Sequence, residues 1–299
     1  MGALEGRVAI ITGAGRGIGR EHALLFASEG AKVVVNDLGG SPAGEGSDAT
    51  PAEEVVAEIV ALGGEAVANH HDVTDWEGAQ RLVNAAVESF GGLHVLVNNA
   101  GILRDRMLVN MTEEEWDAVV SVHLKGHFLP TRFAAAYWRE ESKADRTVEA
   151  SVVNTASGSG LFGQPGQVNY GAAKAGIAAM TVIAAKELGR YGVRVNAIAP
   201  VARTRLTEGL VGDADPTDPA VFDPMDPANV SPWVAYLATR GCPVTGRVFL
   251  VYGGRVQLFQ PWAIVDGIDK DGRWTIEELA DHGARLAEVP FALNDPFSA

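Results

Sequence analysis

The chain has 299 residues, 47% hydrophobic and 21% charged, the composition of a globular protein rather than a disordered or fibrous one. Its net charge of −14 argues against nucleic acid or an anionic membrane as partner, and requires local basic residues for any anionic substrate. The single cysteine, Cys242, excludes an intrachain disulfide and fits a reducing, cytoplasmic setting; neither a leader pattern nor an apolar run of about 18 residues is evident.

Arg7 to Thr12 is a short β-branched run followed at once by T-G-A-G-R-G-I-G, after which a helical pattern begins. Gly13, Gly17 and Gly19 allow a tight turn that brings the backbone against a pyrophosphate at the helix N-terminus, with Arg16 and Ile18 in the same turn. Lys32 to Asp37 reads as a buried parallel strand ending in an acid. Asp37 stands 20 residues beyond Gly17, where a carboxylate accepts hydrogen bonds from an adenosine ribose. It would repel a 2′-phosphate, so NAD is expected over NADP, although Arg16 pulls the other way.

Leu38 to Thr50 is a surface loop by its Gly, Ser and Pro content, and Pro51 to Leu62 an amphipathic helix. A strand over Glu65 to His70 leads to Asp72 and Val73, a place for an adenine, and Asp75 to Phe90 is helical. Leu93 to Val97 is the next strand and runs into Asn98-Asn99-Ala100-Gly101. Thr112 and Glu115 form a capping-box pattern for a long helix to about Glu141.

Ala150 to Thr155 is a strand, and Ser157 follows where a hydroxyl can hold a substrate oxygen. Tyr170 and Lys174 are four apart, one helical turn. An ammonium beside a phenol is expected to lower the tyrosine pKa and make Tyr170 a proton acceptor for an alcohol. That helix extends to about Tyr191, and Val193 to Ala199 is the sixth strand.

Residues 201–230 interleave Asp and Pro and read as a long loop or lid; a short helix, Ser231 to Ala238, and a strand, Val248 to Val251, complete the sheet. In the tail, Asp269, Asp271, Gly272 and Glu278 imitate part of a calcium loop, but Gly267 occupies the first ligand position, so no metal is expected. Nor is there a zinc-type Cys/His spacing, a G-x-S-x-G or a Walker-type loop.

Taken together, T-G-x-x-x-G-x-G, N-N-A-G, Ser157 and Y-x-x-x-K resemble the short-chain dehydrogenase/reductase family over roughly the first 255 residues. The resemblance implies an α/β fold: a doubly wound, Rossmann-like, seven-stranded parallel sheet in one domain, residues 1–255. Residues 256–299 would form a short C-terminal extension packed on it. The resemblance also implies Tyr170 as general base, Lys174 lowering its pKa and binding the nicotinamide ribose, and Ser157 orienting the substrate oxygen. Asn99, Ala100 and Gly101 would line the cofactor, with Pro200 and Thr204 near the nicotinamide. His123 stands where the family places an asparagine that supports the proton relay, and Pro200-Val201 where it places Pro-Gly.

V-V-V-N-D-L-G-G, N-N-A-G-I-L-R-D-R and V-H-L-K-G look like the (3R)-hydroxyacyl-CoA dehydrogenase unit of peroxisomal multifunctional enzymes of type 2. An NAD-dependent oxidation of a 3-hydroxyacyl-CoA is therefore expected, in fatty-acid or steroid side-chain β-oxidation. The alternatives are a dehydrogenase of free hydroxysteroids or other lipophilic alcohols, or a dinucleotide-binding regulator without catalysis. The resemblance adds a homodimer or homotetramer. Arg104, Arg106, Arg203 and Arg205 are the basic candidates for holding a CoA phosphate.

Overall fold

β1 (Val8–Thr12) is buried along its whole length, and its alternation sets up both layers of the fold. Ala9 and Ile11 pack on one side with Phe26 of α1 (Gly17–Ser28), Val55 and Ile59 of α2 (Thr50–Ala61), and Val234 and Leu237 of α7 (Ser231–Ala238). Val8 and Ile10 pack on the other with Leu82 and Val83 of α3 (Trp76–Phe90), and Phe133 and Trp138 of α5 (Gly126–Lys143). Each such fully buried large side chain contributes about 1.5–3 kcal/mol, which holds the helices to the two faces.

The computed structural model describes residues 2–204, 221–260 and 262–289 and divides into two compact units, 1–258 and 259–299. In the first unit the remaining strands are β2 (Lys32–Asn36), β3 (Glu65–Asn69), β4 (Val95–Asn98), β5 (Ala150–Thr155), β6 (Val193–Val201), β7 (Val248–Tyr252) and β8 (Arg255–Leu258). They are ordered β3-β2-β1-β4-β5-β6-β7-β8. The order reverses between β1 and β4, which opens a crevice at their C-terminal ends.

Seven strands are parallel as expected, but β8 is an eighth, antiparallel to β7 with Tyr252 opposite Arg255. Gly253-Gly254 forms the two-residue hairpin between them, with Gly253 at φ +50°. The sheet therefore runs to Leu258, past the expected boundary at residue 255. Every β8 side chain is exposed, so β8 lacks the buried face that marks the other strands.

The helix expected from Thr112 to Glu141 is also modified. The capping box forms, with Glu115 N–H donating to Thr112 Oγ1 and Thr112 N–H to Glu115 Oε2, and starts α4 (Glu113–Val120). A π-turn over Ser121–Lys125 then joins α4 to α5. Such a turn inserts a residue into the helical ladder and re-aims its side chains. Here it contains the buried His123. α6 (Val168–Leu188) carries Tyr170 and Lys174 and packs against β6.

In the second unit α8 (Ile276–Ala287) starts from a capping box of Thr275 and Glu278. Glu278 also pairs with Lys270, so the calcium-like stretch uses its last acid for helix capping and an ion pair. Residues 205–220 lie outside the described residues, and with them Arg205 and most of the Asp/Pro stretch.

Candidate active site

The turn between β1 and α1 closes directly onto the start of the chain after β4. Gly13 has φ +64°, and a Cβ there would stand 2.7 Å from Ala100 Cα. Thr12 Oγ1 accepts hydrogen bonds from the N–H groups of Asn99 (2.9 Å) and Ala100 (3.1 Å). Asn99 Nδ2 donates back to the carbonyls of Thr12 and Gly13, both at 3.1 Å. Asn99 and Ala100 thus fasten the glycine turn across the crevice. Arg16, the N-cap of α1, makes no side-chain capping bond, so the helix presents its first N–H groups to an anion.

Asp37 follows β2 and is pinned beside the same turn. Its Oδ2 accepts from Gly15 N–H at 2.8 Å and its Oδ1 from Gly39 N–H at 2.7 Å. Val73 is buried against Gly126, and Asp72 caps the next turn by accepting from Thr74 N–H at 2.7 Å. Pro200 lies in β6, and Thr204 reaches the glycine turn, where a Cβ on Gly17 would meet its methyl at 3.6 Å. A dinucleotide fits these residues: a glycine-rich turn, an uncapped helix start and an acid stand in the order that pyrophosphate and ribose require.

At the other side of the crevice, Ser157 follows β5 and lies beside Tyr170, the third residue of α6. Lys174 lies one turn on, buried, with Nζ 5.4 Å from the Tyr170 ring centroid and donating to Thr155 O at 2.5 Å. Burial pushes its ammonium down to about 7. The Tyr170 phenol is raised by burial and, less strongly, by Asp105, against a lowering from Ser157. The lowering expected from Lys174 is therefore not what governs the phenol. Lys174 is itself desolvated and aims its proton at a carbonyl, and burying a phenolate outweighs its attraction.

His123 is brought to the site by the π-turn. Its Nε2 lies 2.7 Å from Ile102 O and 3.2 Å from Ile102 N; the shorter contact, too close for two bare acceptors, makes Nε2–H the donor and leaves Nδ1 a bare acceptor. That Nδ1 is buried without a partner among the described residues. Burial first, and Lys174 second, hold the imidazole well below its ordinary range, so it is neutral. Its ring meets Tyr170 edge-on, with centroids 4.9 Å apart, and its Cε1 abuts Gly101. His123 is thus a neutral ring packed behind the tyrosine. Asn98, just before Asn99, donates to Thr131 Oγ1 and Asn154 Oδ1, tying β4 to α5 and β5 beneath the site.

Three of the four arginines expected to face CoA are engaged within the chain, and Arg205 lies outside the described residues. Arg106 pairs with Glu115 at 2.8 Å and Arg203 with Asp223 at 2.8 Å, while Arg104 Nε donates to Ala43 O at 2.9 Å.

A clasp joins the segment after β4 to the start of α6. Arg106 N–H donates to Gly166 O at 2.8 Å, Gln167 Nε2 to Asp105 Oδ2 at 2.7 Å, and Asn169 Nδ2 to Arg104 O at 3.0 Å. Asn169 Oδ1 in turn accepts from Tyr170 N–H at 2.7 Å. Sequence reasoning missed Asp105, Gln167 and Asn169, because Asp105 and Gln167 are 62 residues apart. The one available signal was two amide side chains within three residues of Tyr170.

A family model described as short chain dehydrogenase matches residues 7–211. The hydroxyacyl-CoA dehydrogenase ChsB1 of Mycobacterium tuberculosis is 47% identical over 98% of this chain and 91% of its own. The peroxisomal multifunctional enzyme type 2 of Drosophila melanogaster is 45% identical over 81% of this chain and 38% of its own. The crystal structure of a short chain dehydrogenase from Mycobacterium avium superposes with a TM-score of 0.86 at 55% identity, covering 96% of both chains.

Proposed function

The chain belongs to the short-chain dehydrogenase family and is an oxidoreductase that acts on CH–OH groups with a nicotinamide dinucleotide; we propose that it oxidises a 3-hydroxyacyl-CoA, with NAD as its cofactor. The observation that carries the substrate is the near full-length likeness to a hydroxyacyl-CoA dehydrogenase. NAD rests on Asp37, a carboxylate beside the glycine turn that repels a 2′-phosphate. Fatty-acid or steroid side-chain β-oxidation is the setting such a substrate belongs to.

In this mechanism Ser157 Oγ holds the carbinol oxygen and Tyr170 Oη takes its proton. A positioned base of this kind contributes about 10²–10⁴-fold. The nicotinamide supplies the hydride acceptor when bound. The N-terminus of α1 holds the pyrophosphate, Asp37 the adenosine ribose and Lys174 the nicotinamide ribose. A lysine with a pKa of about 7 is half protonated at neutral pH, so Lys174 can also exchange a proton with the ribose and tyrosine hydroxyls. His123, neutral and fixed to Ile102, keeps the phenol in place.

A homodimer or homotetramer in the cytoplasm completes the proposal. It is supported by a groove of about 870 Å³ between α5 and α6, floored by Ala135, Ala136, Gly176 and Ala179. Phe128 and Ile183 line it and are 47% and 56% exposed, an apolar surface that a second copy of this chain would cover. By length and composition α6 could cross a bilayer, but it carries Tyr170 and Lys174 and packs on β6.

The test is NAD reduction across a panel of 3-hydroxyacyl-CoAs and free hydroxysteroids. Turnover of the CoA esters with at least tenfold higher kcat/KM than any free steroid supports the proposal. The reverse order would transfer the assignment to lipophilic alcohols, and no turnover of any alcohol would leave a dinucleotide binder.

A further inference from the structure

The chain between β2 and α2 folds back on itself before it returns to the sheet. At its neck Asp48 N–H donates to Leu38 O at 3.0 Å, and the two legs lie so close that a Cβ on Gly39 would collide with Asp48 O. At its head Ser41 N–H donates to Glu45 O at 2.8 Å and Gly44 N–H to Ser41 O at 2.9 Å. Residues 38–48 are thus a compact Ω-loop, closed at neck and head by its own hydrogen bonds, and can move about the neck as one body.

The tip rests on a different strand exit from the one that the neck follows. Pro42 O accepts from Leu103 N–H at 3.0 Å, Ala43 O accepts from Arg104 Nε at 2.9 Å, and a Cβ on Gly44 would stand 2.9 Å from Ile102 Cδ1. Ile102 to Arg104 follow β4, the neck follows β2, and β1 lies between those two strands. Neighbouring strands are about 4.8 Å apart, so the loop reaches about 10 Å across the C-terminal end of β1. That end carries the glycine turn, and Asp37 beside the turn holds the neck by accepting from Gly39 N–H at 2.7 Å. The loop therefore bridges the mouth of the crevice between β1 and β4. Of its tip contacts, only the one from Arg104 uses a charged donor. The base of that contact is firm: Ile102 is buried, and Arg104 O accepts from Asn169 Nδ2 at 3.0 Å.

We propose that residues 38–48 are a strap across the dinucleotide crevice, and that Arg104, by latching Ala43, is a positioning residue that retains the cofactor. Opening of the strap then limits release of the dinucleotide. The proposal rests on the binding of a nicotinamide dinucleotide and is independent of the alcohol oxidised.

The experiment compares wild type with Arg104→Ala, Arg104→Lys and Gly44→Val. Arg104→Ala removes the latch but keeps the carbonyl that accepts from Asn169, so the support of Tyr170 stays in place. Gly44→Val puts a branched side chain at φ +84° against Ile102 and lifts the tip from the loop's own side. Release of NADH is followed by its fluorescence on rapid displacement with excess NAD. Opening is read without turnover, as the rate at which a glutamyl endopeptidase cuts after the exposed Glu45, with and without NADH.

Arg104→Ala and Gly44→Val should each release NADH about tenfold faster, the scale of one hydrogen bond from a charged donor, and should be cut faster at Glu45. Arg104→Lys keeps a charged donor and should lie near wild type, in which NADH should slow the cutting. Release within about twofold of wild type in both Arg104→Ala and Gly44→Val would overturn the strap, whatever their stability. Faster release without faster cutting would overturn it too, since the loss would then lie in the crevice itself. If the protein binds NADPH and not NADH, the assignment of NAD fails, while the same two measurements with NADPH still decide the strap.

Discussion

Replacing Asp37 with alanine should turn the protein toward NADP, and the structure sets the scale of the change. The carboxylate accepts from Gly15 N–H at 2.8 Å and from Gly39 N–H at 2.7 Å, so it is fixed at the mouth of the glycine turn. A unit charge about 5 Å away at an effective dielectric of about 20 is repelled by about 3 kcal/mol. Asp37 is only partly buried, and solvent screening leaves about 2 kcal/mol, a factor of about 30 in relative affinity. The substitution also frees Gly15 N–H, which can then donate to a 2′-phosphate near Arg16. The assay is kcat/KM for NAD and NADP in both proteins at low and high salt. The ratio should move toward NADP by about 30-fold at low salt and by less at high salt. A wild type that prefers NADP, or a ratio that alanine leaves unchanged, would refute the reasoning.

Two further substitutions separate fold from function. Lys174→Met should abolish most turnover yet raise the melting temperature near neutral pH. Lys174 is buried with its pKa lowered to about 7, so the folded chain releases a proton that the unfolded chain keeps up to about pH 10. The lysine therefore destabilises the fold most at and below pH 7, by at most about 5 kcal/mol, and ceases to do so above about pH 10. The gain from methionine should fade over the same range, and melts across pH check it. Gly19→Ala would place a Cβ 2.1 Å from Gly13 O and 2.6 Å from Asn99 Nδ2. The turn must open, so NAD affinity should fall at least tenfold, with about 1–3 kcal/mol of stability lost; titration of NAD and a thermal melt read the two effects.

Most of the parallel strands were legible because each is a short run rich in β-branched residues, buried on both faces as parallel sheets are; β3, E-A-V-A-N at the sheet edge, is the weakest of them. β8 was missed for the opposite reason, since R-V-Q-L has no buried face and only the preceding Gly-Gly pair marked a hairpin. The π-turn leaves the apolar spacing of its flanking helices intact, so nothing in the sequence separated it from a plain helix. Ser157, Tyr170 and Lys174 were readable as neighbours, because strand end and helical spacing determine that much. Their electrostatics were not, since the pKa of Lys174 depends on the depth at which the sheet buries it. The pairs Arg203–Asp223 and Gln167–Asp105 join distant segments, and spacing carries no trace of them.

The central claim is that Tyr170 takes the proton of the alcohol. Tyr170→Phe removes the hydroxyl and keeps the ring that packs edge-on against His123. The decisive measurement is NAD affinity by direct titration alongside turnover of a 3-hydroxyacyl-CoA, in wild type and variant. NAD affinity within a few-fold of wild type, with turnover reduced by about 10²–10⁴, is the predicted result. Turnover at the wild-type rate in the phenylalanine variant would contradict it.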